Sequence, residues 1–131
     1  LRSLQAGIES RLTPVPEEVV REAPQRSAFV ALTHDHALDF LIVAEALKRA
    51  DAAYVGMIGS KTKRATFKSW FLKQAEGSLA AVSALTCPIG GDTVKDKRPA
   101  VIAALTAAEL AVRLLRTPLT VSAAPAEIPR K

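Results

Sequence analysis

Three cationic side chains follow a glycine turn, in an order that α/β proteins use to bind anions. The apolar run Tyr54–Ile58 ends in Gly59-Ser60, and Lys61, Lys63 and Arg64 follow where a helix is predicted to begin. The first N–H groups of a helix have no intrahelical acceptors, and glycine lets a ligand approach the backbone closely. The pattern predicts a phosphate-binding turn, although an ordinary solvated strand-to-helix turn has the same composition.

A second polar segment, Thr33-His-Asp-His-Ala-Leu-Asp39, holds both histidines of the protein. Three interpretations stay open for it: Asp35 caps a helix, the histidines contact a ligand, or imidazole and carboxylate bind a transition metal. A metal site needs three or four ligands, and the sequence offers no third histidine. The first two interpretations are therefore favoured, and no metal ligands are predicted.

Cys87 is the only cysteine, so a disulfide within the chain is excluded, which fits a reducing compartment. A thiol becomes a nucleophile when a nearby cation lowers its pKa, and Lys95, Lys97 and Arg98 are near in sequence. Most lone cysteines are instead small buried apolar residues. We therefore expect Cys87 to be a buried apolar residue rather than a nucleophile.

Composition places the chain among globular proteins that have no nucleic-acid surface. Its 131 residues suit one domain or part of a larger one, and 49% of them are hydrophobic. The net charge of +5 favours anionic partners, but no basic block with interleaved aromatic residues is present. No signal peptide and no apolar run of about 18 residues occurs, so we expect a cytoplasmic protein without a membrane span.

Strands and helices must alternate to position these residues. The predicted elements are strands over Ala28–Thr33 and Ala53–Ile58, and helices over 16–21, 37–50, 62–74 and 99–115. Such alternation indicates right-handed βαβ crossovers and a parallel sheet, in which ligands bind beyond the carboxyl ends of the strands. Both polar segments would lie at that edge.

The remaining elements are less certain. Residues 79–85 are compatible with a helical turn or a short strand, so further strands are expected from the N-terminal residues, an absent half or another chain. Gly77 is predicted to stop the second long helix and Pro118 to close the last one. The predicted organisation is an N-terminal segment with a short helix (1–27), a central domain (28–118) and a flexible tail (119–131). Exposed strand edges predict a homodimer.

Four motifs in order resemble the xanthine dehydrogenase accessory protein family (XdhC/CoxI). They are Phe29-Val-Ala-Leu-Thr-His-Asp-His-Ala-Leu-Asp39, Tyr54-Val-Gly-Met-Ile-Gly-Ser-Lys-Thr-Lys-Arg64, Cys87-Pro-Ile-Gly90 and Lys97-Arg-Pro-Ala-Val-Ile-Ala103. The resemblance covers roughly residues 28–116. It implies a Rossmann-like three-layer domain that lacks its first βαβ nucleotide-binding half.

The resemblance further implies an accessory protein, rather than an enzyme, that binds molybdenum cofactor (molybdopterin). Such proteins help install its terminal sulfido ligand and deliver it to a xanthine dehydrogenase-like apo-enzyme, often with a cysteine desulfurase. The residues implied in cofactor binding are Thr33, His34, Asp35, His36, Gly59, Ser60, Lys61, Thr62, Lys63 and Arg64.

Two alternatives stay open. One is an NAD(P)-binding subunit related to oxidoreductases, although no Gly-x-Gly-x-x-Gly follows a strand here. The other is an interaction module without catalytic activity.

Overall fold

In the part of the chain that the structure describes, three parallel strands and five helices form a Rossmann-like α/β fold, as the sequence predicts. The computed structural model describes residues 7–91, 96 and 98–122, and residues 117–122 by their backbone alone. The elements are α1 Pro16–Glu22, β1 Ala28–Ala31, α2 His36–Arg49, β2 Tyr54–Met57, α3 Lys61–Lys73, α4 Leu79–Val82, β3 Leu85–Thr86 and α5 Pro99–Ser122.

The sheet has the order β1-β2-β3, with both pairs parallel. Ala28 lies opposite Tyr54 and Val55 opposite Leu85, and every residue of the central strand β2 is buried. A continuous apolar run suits a strand that is covered on both faces. The third strand, β3, is formed by Leu85–Thr86 and not by the N-terminal residues, an absent half or another chain, which were the expected sources. Residues 79–85, which were compatible with a helical turn or a strand, form the helical turn α4 and the first residue of β3.

Helices α2 and α3 cover one face of the sheet and build the core there. Val55 and Met57 of β2 join a buried cluster with Val43 of α2 and with Phe67 and Phe71 of α3. The rings of Phe67 and Phe71 stack with centroids 5.2 Å apart. Helix α5 lies on the opposite face, because Tyr54, which alternates with Val55 along β2, donates to Glu109 of α5.

The short helix α1 packs against α2. Val20 is buried, and its carbonyl accepts from Arg49 Nη1 at 2.6 Å. Arg21 pairs with Glu45 at 2.7 Å. The N-terminal segment is thus fastened to the helix that follows β1.

One predicted helix end was confirmed to within a residue, and another was wrong. Helix α3 ends at Lys73 with Gln74 as its C-cap, and the backbone N–H of Gly77 donates to the carbonyl of Phe71 in that helix at 2.8 Å. Gly77 also leaves room for the Phe71 ring, which a Cβ at this position would overlap. Helix α5 continues through Pro118 to Ser122. A proline removes one backbone donor and bends a helix, but it does not have to end it. Of the predicted tail, residues 119–122 are helical, and 123–131 lie outside the described residues.

Candidate ligand-binding site

The carboxyl ends of β1 and β2 meet at one edge of the sheet, where helices α2 and α3 begin. Asp35 caps α2, because its side chain accepts from the backbone N–H groups of Ala37 and Leu38. Ser60 caps α3 by accepting from the backbone N–H of Lys63. The two polar segments singled out in the sequence are therefore neighbours, each at the start of a helix.

The buried side chain of Asp39 connects the two polar segments, because it accepts hydrogen bonds from both of them. Its carboxylate is completely buried, and Oδ1 accepts from both the backbone N–H (2.9 Å) and the hydroxyl (2.7 Å) of Thr33. Oδ2 accepts from Lys63 Nζ at 2.8 Å, and the Lys63 side chain is only 10% exposed. The loop after β1 and the first turn of α3 are thus held together by a buried ion pair.

Lys63 therefore acts inside the protein rather than at its surface. Its ammonium group also donates to the carbonyl of Ile58 at 2.9 Å, so it folds back over the turn that precedes its own helix. A Cβ at Gly59 would lie 2.5 Å from Lys63 Cδ. Gly59, which was expected to leave space for a ligand, instead leaves space for the side chain of Lys63.

Arg64 performs a similar task on the other side of α3. Its Nη1 donates to the carbonyl of Leu85 at 2.9 Å and to that of Cys87 at 3.3 Å. The guanidinium thereby attaches the end of β3 and the Cys87-Pro88 segment to α3. Lys63 and Arg64, both predicted to contact phosphate, are thus bound to groups of the chain itself.

The exposed rim of the edge is formed by the remaining predicted residues: His34, Asp35, His36, Ser60, Lys61 and Thr62. Lys61 and Thr62 are the first two residues of α3, and the N–H groups of a helix's first turn have no intrahelical acceptors. The rim therefore combines an ammonium group, two imidazoles and helix N–H groups, which are donors that suit a phosphate. It also holds the carboxylate of Asp35, whose Oδ1 accepts from the N–H groups that begin α2. Thr33 is also exposed, but its hydroxyl and N–H are directed to Asp39.

Cys87 lies beneath this edge, where its Sγ is 3.7 Å from the carbonyl oxygen of Ser60. Burial raises the pKa of the thiol, and the positive charges of Lys63 and Arg64 oppose that shift without cancelling it. A raised pKa keeps the group a thiol at neutral pH, in accord with the buried apolar state expected from the sequence. The cations that face Cys87 are not those near it in sequence.

A second polar cluster, centred on Glu109 of α5, fixes the loop after Cys87. Glu109 Oε1 accepts from the Tyr54 hydroxyl at 2.7 Å, and Oε2 accepts from the backbone N–H of Gly90 at 2.6 Å. Burial, together with Glu109, raises the pKa of Tyr54 above its usual value. Gly56 makes room for this arrangement, since a Cβ there would lie 2.6 Å from the Tyr54 ring.

In the part of the chain that the structure describes, no three His, Cys, Asp or Glu side chains come together in a way that could hold a metal ion. Nor is any helix of that part long and apolar enough to cross a membrane.

Comparison with known protein families decides where the chain belongs. A family model described as the XdhC Rossmann domain matches residues 5–110. The chain belongs to this family. The match to the XdhC Rossmann domain includes both polar segments at this sheet edge, residues 33–39 and 59–64. It also includes the Cys87-Pro-Ile-Gly90 loop and Glu109. No curated protein matches the sequence in a parallel comparison.

Proposed function

We propose that this XdhC-family protein binds molybdenum cofactor and delivers it to a xanthine dehydrogenase-like enzyme during maturation. The observation that carries the proposal is the geometry of this sheet edge, which we call the ligand edge: the two polar segments meet there and leave Lys61, two histidines and the first N–H groups of α3 at an exposed rim. Molybdenum cofactor carries a phosphate on a pterin and, when bound, supplies the metal centre of the client enzyme. The proposal assigns this chain the task of holding the phosphate.

In this proposal the residues of the edge divide into two groups. Lys61 and the first N–H groups of α3 contact the phosphate, and His34 and His36 reach the ligand from the neighbouring strand end. Asp39, Lys63 and Arg64 hold these groups in place through the contacts described above. This division supports testing Lys61 alone, because removing Lys63 or Arg64 would also disturb the fold.

The binding test is a calorimetric titration of the protein with molybdopterin under anaerobic conditions. Lys61→Ala is compared with Lys68→Ala, which removes another exposed lysine further along the same helix. A hydrogen bond to a charged group contributes about 1.5–3 kcal/mol, so we expect Lys61→Ala to weaken binding by about 10- to 100-fold. Lys68→Ala should bind as the wild type does.

Two results would contradict the proposal. Absence of binding by the wild-type protein would remove the cofactor role, and equal affinities of the two lysine variants would remove the phosphate role of Lys61. A parallel titration with NADPH tests the nucleotide alternative, which requires heat of binding from NADPH and none from molybdopterin.

The proposed partners are a xanthine dehydrogenase-like apo-enzyme, which receives the cofactor, and a cysteine desulfurase, which provides sulfur for its sulfido ligand. Co-sedimentation of the cofactor-loaded protein with each purified partner is the appropriate measurement. A complex that forms with the apo-enzyme, and not with the enzyme already containing cofactor, would support delivery.

A further inference from the structure

The loop after β3 lies at the same edge of the sheet as the two polar segments. Strand β3 runs parallel to β2, and Thr86 lies opposite Gly56, so the chain that leaves β3 passes alongside the end of β2. Cys87 Sγ is 3.7 Å from the carbonyl oxygen of Ser60, the residue that caps α3. The chain beyond β3 therefore reaches the start of α3. We refer to residues 87–91 as the β3 loop.

The β3 loop is anchored to helices on both faces of the sheet. Arg64 of α3 holds its beginning by donating to the carbonyls of Leu85 and Cys87. Glu109 of α5 holds its other end, because Oε2 accepts from the backbone N–H of Gly90 at 2.6 Å. Since α3 and α5 cover opposite faces, the two anchors fix the loop from two directions.

The glycines of the β3 loop make the anchor at Glu109 necessary. Gly90 and Gly91 have φ angles of +86° and +67°, which residues with a side chain rarely adopt. A Cβ at Gly90 would lie 2.8 Å from Leu105 Cδ1, so the backbone packs directly against α5. Glycine loses more conformational freedom on ordering than any other residue. A strong acceptor for the Gly90 N–H therefore decides whether this conformation is held.

The outer surface of the β3 loop differs in chemistry from the start of α3. The loop contains no charged residue, Pro88 is half-buried, and Gly91 is exposed. A Cβ at Gly91 would meet nothing within 4 Å, so bare backbone faces open space there. A proline ring and bare peptide groups form a surface that a planar heterocycle can approach closely, whereas a phosphate requires donors such as those of α3.

We propose that the β3 loop is the wall of the ligand edge that contacts the heterocycle of the ligand, and that Glu109 is the residue that positions this wall. The inference rests on the proposed function: it assigns the pterin of the cofactor to the β3 loop, and the phosphate stays with Lys61 and the first N–H groups of α3. The pterin then lies across the end of β2, the central strand. Glu109 acts through Gly90 and does not touch the ligand.

Three substitutions separate positioning of the loop from the rest of the Glu109 cluster. Glu109→Met removes the acceptor of both the Gly90 N–H and the Tyr54 hydroxyl. Glu109→Gln keeps an amide oxygen for the Gly90 N–H and directs its NH2 group to the Tyr54 hydroxyl, which can accept. Tyr54→Phe removes only the hydrogen bond to Tyr54 and leaves that to Gly90 intact.

The test compares the affinities of these variants for molybdopterin, by anaerobic calorimetry, and for inorganic phosphate, by NMR titration. We expect Glu109→Met to bind molybdopterin about 10-fold more weakly, which corresponds to a wall that is in place about a tenth of the time. Glu109→Gln and Tyr54→Phe should bind molybdopterin as the wild type does. Inorganic phosphate should bind all four proteins equally, a split that a general loss of stability would not produce.

The outcomes distinguish this inference from the proposed function. If the wild type binds molybdopterin and Glu109→Met binds it equally well, or if that variant weakens phosphate binding as much as molybdopterin binding, the positioning role is overturned. If the wild type does not bind molybdopterin, the proposed function fails, and the inference fails with it.

A measurement on the wild type does not depend on the folding of any variant. Saturation with molybdopterin should shift the backbone amides of Ile89, Gly90 and Gly91 in a two-dimensional nitrogen–proton spectrum. Inorganic phosphate should shift the amide of Lys61 and leave those three unchanged. A molybdopterin-saturated spectrum in which residues 89–91 do not move overturns the assignment of the heterocycle to the β3 loop.

Discussion

Replacing the buried carboxylate of Asp39 by an amide is the most informative perturbation of the ligand edge. Asp39→Asn keeps an oxygen that accepts from the N–H and hydroxyl of Thr33, and it removes the charge that faces the Lys63 ammonium. The substitution is nearly isosteric, so it leaves no cavity. Its effect reports mainly on the buried ion pair.

The magnitude follows from the burial of the two partners. Removing one partner of a buried ion pair costs about 3–5 kcal/mol, because the other charge remains buried without compensation. Lys63 is 10% exposed and keeps the carbonyl of Ile58 as an acceptor, which places the expected loss near the lower end, about 3 kcal/mol. The free energy of unfolding of a domain of this size is about 5–15 kcal/mol, so the expected loss is a large fraction of the total stability.

The assay is urea unfolding followed by circular dichroism at neutral pH. A loss of about 3 kcal/mol lowers the urea midpoint by about 1–3 M at the usual slopes. Asp35→Asn is the matched control, because Asn caps a helix about as well as Asp and should change the free energy of unfolding by less than about 0.5 kcal/mol. If Asp39→Asn falls within about 1 kcal/mol of this control, the ion pair does not organise the edge.

A double-mutant cycle attributes the effect to the pair. Lys63→Met leaves the Asp39 carboxylate buried with only Thr33 as a donor, and should be destabilising by a similar amount. The double variant should be more stable than the sum of the two single effects by about 1–3 kcal/mol. Strict additivity would show that the two groups do not interact.

Four further predictions concern the Tyr54 cluster and Cys87. Glu109→Gln should lower the pKa of Tyr54, which is the only tyrosine, and tyrosinate absorbance in an alkaline titration measures this shift directly. Because folding raises the pKa of Tyr54, the free energy of unfolding should fall as pH rises above about 10, where the unfolded chain ionises first; a flat profile there in wild type would contradict this. Gly56→Ala should lower the free energy of unfolding by about 1–3 kcal/mol in urea denaturation, since its Cβ would overlap the Tyr54 ring; a neutral effect would show that the ring can move without loss. Cys87 should react slowly with a thiol reagent at pH 7 in the folded protein and quickly in urea, because burial raises its pKa, and equal rates would refute its burial.

The order of the elements, and the meeting of the two polar segments at one edge of the sheet, could be predicted from the sequence. Buried strands such as β2 are continuous apolar runs, and the capping residues Asp35 and Ser60 stand directly before their helices. These signals depend only on residues that are close together in the sequence, so they can be recognised without knowledge of the tertiary structure. The two-residue strand β3 is too short to give such a pattern.

The internal role of the cations could not be predicted in the same way. Three basic residues at a helix start indicate an anion, but the sequence does not say that the anion facing Lys63 is the carboxylate of Asp39. A signal was nevertheless present in the sequence: Asp39 shares a helix face with Val43 and Leu47, which are both buried. A carboxylate on the buried face of a helix predicts a buried cationic partner.

The orientation of helix α5 also could not be predicted from the sequence. The apolar and polar faces of an alanine-rich helix differ little in sequence, and only the contacts of Glu109 and Arg113 reveal which face is directed inward. Pro118 misled the prediction of its end because propensity arguments apply to a helix taken alone.

The central claim is that molybdenum cofactor binds at the edge formed by the carboxyl ends of β1 and β2. Two-dimensional nitrogen–proton NMR of the isotope-labelled protein, titrated with molybdopterin, tests binding and location together. We expect saturable shifts of the backbone amides of residues 33–36 and 59–62, with Lys61 among the largest. Absence of saturable shifts, or shifts confined to residues remote from these two segments, would contradict the claim.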